Sequence, residues 1–231
     1  MFSTLLVLTA LHLPPDSTLT VLLRRNTAAV GGAAIARVET RRVEGVLTGA
    51  TPFEIPVTIE QRRPRLFRRE AQLPGSITQV TVLNGRDGWR VDPTQGIMTP
   101  TALSDAERAE LFEDAVFDGD LVNSGAEITL MGVDSLPTGR AYRLMLRYPD
   151  GRPVTVWVDS TRALEVRRAL TRTIGGQVVP METEIGDYRT IGGIQEPHRI
   201  VTRIPMFGVV MTLRMVRVET NVDVPAKRFL R

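Results

Sequence analysis

Beyond residue 34, apolar and polar side chains alternate with a period of two along most of the chain. That alternation limits the fold more than any other feature. Phe53, Ile55, Val57 and Ile59 alternate with Glu54, Pro56, Thr58 and Glu60, the pattern of a strand that buries one face. Pro56 marks this strand as an edge or a bulge. Comparable segments cover 34–49, 66–73, 77–83, 127–135, 139–148, 153–159, 164–173, 178–189, 197–204 and 209–221, and a shorter one opens at Trp89 and Val91. Turn residues separate them, as at Pro74-Gly75, Asn84-Gly85, Asp87-Gly88, Pro149-Asp150-Gly151 and Gly192-Gly193.

Only two segments carry a helical period. Leu19, Leu22, Leu23 and Val30 form an apolar stripe after Asp16 or Ser17, and Gly31-Gly32 ends it. Ser104-Asp105-Ala106-Glu107 is a capping box, followed by Leu111, Phe112, Ala115 and Val116 and an end near Asp118-Gly119. Ten or so half-buried strands must curl or split to hide their apolar faces. Two helices cannot cover a flat sheet of that width, but they can plug a strongly curved one. The expected fold is therefore mainly β with about two helices (α+β). It is a single strongly curved antiparallel sheet of about 10–11 strands, an unclosed half-barrel whose concave face the helices cover. No repeat or linker interrupts it, so residues 14–231 form one domain, expected to stand alone as a monomer.

Residues 1–13 are an apolar run ended by Pro14-Pro15, the size of a signal-peptide core. No Lys or Arg precedes the run, so the competing reading is a buried N-terminal strand. Export to the periplasm is the expectation.

Composition removes several classes of function. The chain has no Cys and two His, His12 and His198, so disulfides, thiolate sites and multi-histidine metal centres are excluded. Aromatic residues are 5%, too few for a single-strand nucleic-acid platform. The net charge of +3 over 231 residues is a weak field, and no nucleic-acid partner is expected. Lys227 is the one lysine among 29 basic residues; arginine favours planar contact with phosphate and carboxylate. A Ser-His-Asp triad would have to use His198, with no serine in a nucleophile elbow. Glu182, Glu184 and Asp187 are the nearest approach to a carboxylate pair, and no cofactor motif occurs. No catalytic residue, metal or cofactor is expected.

The order of signatures resembles a known family. It runs through Arg63-Pro64-Arg65-Leu66-Phe67-Arg68, Asn84-Gly85-Arg86-Asp87-Gly88-Trp89 and Ile128-Thr129-Leu130-Met131-Gly132. It continues with Ala141-Tyr142-Arg143-Leu144, Val156-Trp157-Val158-Asp159-Ser160-Thr161-Arg162-Ala163-Leu164, the stretch 186–197, then 216–224 and Phe229. Over residues 16–230 this resembles the LolA/LolB-like superfamily of outer-membrane lipoprotein-sorting proteins. The resemblance implies an unclosed barrel and a cavity between sheet and helices in which carriers hold lipid or lipoprotein acyl chains. Other members resemble stress-sensor regulators, and one is a cofactor-free enzyme. LolB-like members are anchored through a Cys that is missing here, so the resemblance favours a carrier. The carriers' functional arginine matches no particular Arg of this chain.

An acyl-chain cavity needs apolar, adaptable walls without fixed charge. The candidate lining is Phe53, Ile55, Val57, Ile59, Phe112, Tyr142, Leu144, Leu146, Met211, Leu213 and Met215; the alternative is that these side chains simply fill a core. Residues 61–70 concentrate Arg62, Arg63, Arg65, Arg68 and Arg69 against Glu70, while residues 104–118 carry six acids against Arg108. The arginines are candidates for a lipid headgroup or membrane surface, and the acidic helix for docking an envelope protein. Both stretches are otherwise solvated faces, or they attract one another across the mouth.

Overall fold

The computed structural model describes residues 17–85, 87–115, 121–174 and 176–231. Helix α1 (Thr18–Val30) starts where the Ser17 hydroxyl accepts the Thr20 amide at 3.2 Å. It stops at Gly31, whose φ of 137° and contact with Ile194 leave no room for a side chain. The chain then winds a 3-10 turn over Gly32–Arg37. The strand expected over 34–49 is accordingly shorter: β1 spans Thr40–Thr48. Two glycines at positive φ set the turn, and Ile35 and Val38 bury themselves from it.

Five more strands follow as a meander: β2 (Ile55–Arg62), β3 (Leu66–Leu73), β4 (Ile77–Asn84), β5 (Asp87–Asp92) and β6 (Ile97–Ala102). Helix α2 (Asp105–Ala115) comes next; its expected end near Asp118-Gly119 lies outside the described residues, as does the segment 1–13. A second meander holds β7 (Glu127–Leu136), β8 (Gly139–Arg147), β9 (Pro153–Asp159), β10 (Glu165–Ile174), β11 (Gln177–Ile191), β12 (Ile194–Ile204) and β13 (Val209–Thr220). All thirteen strands form one antiparallel sheet in the order β6-β5-β4-β3-β2-β1-β13-β12-β11-β10-β9-β8-β7. The sheet is not closed into a barrel.

β6 is the strand that the alternation does not reveal. It lies at an edge and is exposed along nearly its whole length, so it needs no period of two. Pro100 within it blunts the edge against further pairing. Pro56, by contrast, sits in the interior strand β2, opposite Val46 of β1 and just beyond the first β3 pair, Val57–Ala71.

The strand order decides where α2 goes. β1 and β13 meet at the centre of the sheet, so β6 and β7 are opposite edges, and α2, between them in sequence, packs against β3 and β4 on one side and β10 on the other. Along its apolar side, Leu111 and Ala115 pack with Phe67, Leu83 and Leu103. From its polar side, Glu110 accepts the Thr173 amide of β10 at 2.7 Å, and Arg172 reaches the Glu110 carbonyl and the Asp114 carboxylate. α1 covers the other half: Leu22 is buried among Leu144, Leu146, Val154, Val156 and Val158. Its Asn26, also buried, donates to the Ala163 carbonyl at 2.9 Å and accepts the Leu121 amide at 3.0 Å. On the convex face the C-terminal segment packs Val224 and Phe229 against Val82 and Trp89. Arg228 there pairs with Glu60 and Glu70.

Candidate functional site

A cleft of about 320 Å³ opens where α2 passes over β8–β10, at the small end of the usual range for ligand sites. One wall is apolar. Phe112 projects from α2, Leu146 from the end of β8, Leu121 from the segment before β7, and the Tyr148 ring and Pro149 from the turn after β8. That turn is fixed by sequence: Gly151 adopts φ 84° and donates to the Tyr148 carbonyl at 2.8 Å, a conformation open to glycine at no steric cost.

The other wall is ionic. Arg152 bonds Glu113 of α2 at 2.5 Å, Asp150 at 2.6 Å and the Ala109 carbonyl at 2.9 Å. Arg168 of β10 forms a two-point contact with Glu165, at 2.8 and 2.9 Å, and lies 3.8 Å from the second Glu113 oxygen. The Glu113 side chain is 3% exposed, and that second oxygen makes no hydrogen bond. Burial opposes the Arg168 charge, but the charge and hydrogen bonds of Glu165 outweigh it and raise the pKa above the ordinary arginine value. For Arg152, burial is likewise outweighed, here by Asp150 and Glu113. Burial, reinforced by the Glu113 charge, pushes the Tyr148 phenol up to about 12. Arg65 completes the rim, its guanidinium 5.2 Å from the centre of the Phe112 ring.

The expected lining is divided by the structure. Phe112 and Leu146 share this cleft. Leu144 is fully buried beneath α1 with Tyr142 packed half-buried against the same cluster. Met215 is buried with Val43 and Val218, and Leu213 and Ile59 pack against them. Ile55 and Val57 are buried on β2, and Met211 is half-buried on β13. Phe53 precedes β2 and is 56% exposed.

The five arginines also separate. Arg62 donates to the Val224 carbonyl, Arg63 to those of Val38 and Ile35, and Arg68 pairs with Glu70 beside Trp89. Arg69 is exposed on β3, and Arg65 alone of the five reaches the cleft.

Two expectations need correction. The cavity was to be free of fixed charge, yet half its wall is an ion network. Of the three alternatives for the acidic helix, a solvated face, a docking surface or attraction to the arginines of 62–69, the first and the last do not hold. Instead Glu113 pairs with Arg152 and Arg168, Asp114 with Arg172 and Glu107 with Arg90. Tyr148, Arg152, Glu165 and Arg168 escaped the sequence reading, and Glu113 stood out only as one acid of the helix, because the group comes from three distant segments. Glu165 and Arg168 are close in sequence, but a spacing of three puts them on opposite faces of a regular strand; an irregularity between Glu165 and Arg167 brings them together.

Among the described residues no group of His, Asp and Glu could hold a metal ion, and no helix is long and apolar enough to cross a membrane. No family model matches the chain, and no curated protein does. Solved structures do. A DUF1329 family protein from Desulfovibrio piger superimposes with a TM-score of 0.63 at 13% identity, over 90% of this chain and 95% of that one. A LolA superfamily protein from Nitrosomonas europaea gives 0.60 at 18% identity, over 89% and 97%. A domain named as an outer membrane lipoprotein-sorting protein, from Vibrio parahaemolyticus, gives 0.60 at 10% identity, over 91% and 95%. The fold is LolA-like.

Proposed function

We propose that this protein is a non-catalytic binding protein of the cell envelope, exported to the periplasm, that holds a lipid or lipoprotein acyl chain between its curved sheet and its helices. The observation that carries this reading is the cleft under α2, with Phe112, Leu121, Leu146 and Tyr148 on one side. An acyl chain gains about 0.8 kcal/mol for each methylene moved out of water, so even this small wall is a binding surface. The LolA-like fold, shared with a lipoprotein-sorting domain, supports the same reading. A membrane contact fits the hairpin tips better than the arginines first considered: Met206 and Phe207 are 55% and 48% exposed at the β12–β13 turn.

Native mass spectrometry of protein exported in a host cell, followed by solvent extraction, tests the proposal. Discrete adducts that release an acylated molecule support it. A clean apo mass, with no uptake of added fatty acid, phospholipid or lipopeptide, refutes it. One observation favours a second reading, an interaction or sensory domain without ligand. Met215, Leu213 and Ile59 fill the centre of the concave face by packing on one another and on Val43 and Val218.

A further inference from the structure

The apolar and charged sides of the cleft together narrow the ligand. We infer that the cleft takes one single-chain amphiphile with an anionic head, its chain along Phe112, Leu121 and Leu146 and its carboxylate or phosphate on Arg65. This rests on the binding reading above.

The chain count follows from the walls. Phe112, Leu121, Leu146 and the Tyr148 ring give one apolar strip, and the side facing it carries Glu113, Asp150, Arg152, Glu165 and Arg168. One chain lies along the strip. A second chain would have to lie against those charged side chains, where it gains no apolar contact.

The head follows from the pairing of the ionic wall. Arg152 is held by Asp150 and Glu113, and Arg168 by Glu165 with Glu113 nearby. Those five side chains satisfy one another, and the Glu113 oxygen that makes no hydrogen bond is sealed beside Arg168. Arg65 is different. Among the described residues no carboxylate reaches it, and its guanidinium lies over the Phe112 ring. A guanidinium at the mouth, stacked on the ring that begins the apolar wall, offers a planar two-donor fork where a chain would emerge. A cationic head would meet that guanidinium at close range.

The test is calorimetric titration of the full chain with decanoate, decyl phosphate, decyltrimethylammonium and a diacyl phosphatidylglycerol. Decanoate or decyl phosphate should bind at one site, at least tenfold tighter than decyltrimethylammonium. Each methylene removed from the carboxylate series should weaken binding about fourfold. Arg65→Ala, a change at an exposed position, should abolish the preference for the anion while leaving the cation's affinity unchanged or improved. Equal binding of cation and anion, or an anion preference that survives Arg65→Ala, overturns the head assignment. Tighter stoichiometric binding of the diacyl lipid overturns the single-chain assignment. Either result leaves the binding reading standing, whereas failure of all four probes to bind removes that reading and this inference together.

Discussion

Replacing Glu113 by alanine removes the carboxylate through which α2 is pinned to the β8–β9 turn and to β10. The side chain is 3% exposed and bridges Arg152 at 2.5 Å and Arg168 at 3.8 Å. Losing one partner of a buried pair costs about 3–5 kcal/mol when the other charge is stranded. Neither arginine is stranded here, because Asp150 and Glu165 remain, and a charged hydrogen bond alone is worth about 1.5–3 kcal/mol. The expected loss for Glu113→Ala is therefore about 2–3 kcal/mol, and about half that for the isosteric Glu113→Gln. Urea unfolding at pH 7 measures it, as a fall in midpoint with an unchanged slope. The loss should be nearly the same in low and high salt, because the pair is shielded from solvent. Asp105→Ala is the control. Its carboxylate pairs with Arg108 but is 95% exposed, and its removal should cost under about 0.5 kcal/mol. A Glu113→Ala loss as small as the control's, or one that vanishes in salt, would refute the claim that this network holds α2 over the sheet.

Three further outcomes follow from the fold. Leu22→Ala, which empties a side chain 1% exposed between α1 and β8–β9, should cost about 2–5 kcal/mol, read by thermal or chemical unfolding. Gly31→Ala should destabilise by about 1–3 kcal/mol. A Cβ there meets Ile194 Cγ2 at 2.8 Å at a φ of 137°, so a fully stable variant would contradict the described end of α1. Ultraviolet titration should find one tyrosine ionising near pH 12, Tyr148, two units above the ordinary value of 10. The raised value means the folded state holds this proton more tightly. Its stabilising contribution is thus full below about pH 10 and lost as the pH rises toward 12; Tyr148→Phe should remove that titration step.

Much of the architecture was legible because alternation is a local signal. Ile55, Val57 and Ile59 announce a strand with one buried face whatever they pack against, and the Ser104–Glu107 box announces the start of α2. β6 was silent because an exposed edge strand has no buried face to pattern. The strand expected over 34–49 is too long because Ile35 and Val38, three apart, share one side of a 3-10 turn rather than one face of a strand. The site was far less legible. Phe112 and Leu146 were named as apolar residues, but Arg152 and Glu165 take their meaning from Glu113, which lies 39 residues before Arg152 in the chain. Charge runs in sequence were also a poor guide. Five arginines within 62–69 go to both faces of the sheet, and the acids of α2 find their partners elsewhere.

In the proposed complex an acyl chain lies in the cleft between α2 and β8–β10. Photo-crosslinking with a diazirine-bearing decanoate, followed by peptide mapping, tests it most directly. Label is expected on peptides carrying Phe112, Leu121 and Leu146, competed away by unlabelled decanoate. Saturable label confined to the exposed tip at Met206 and Phe207, or to the convex face around Trp89 and Phe229, would contradict it.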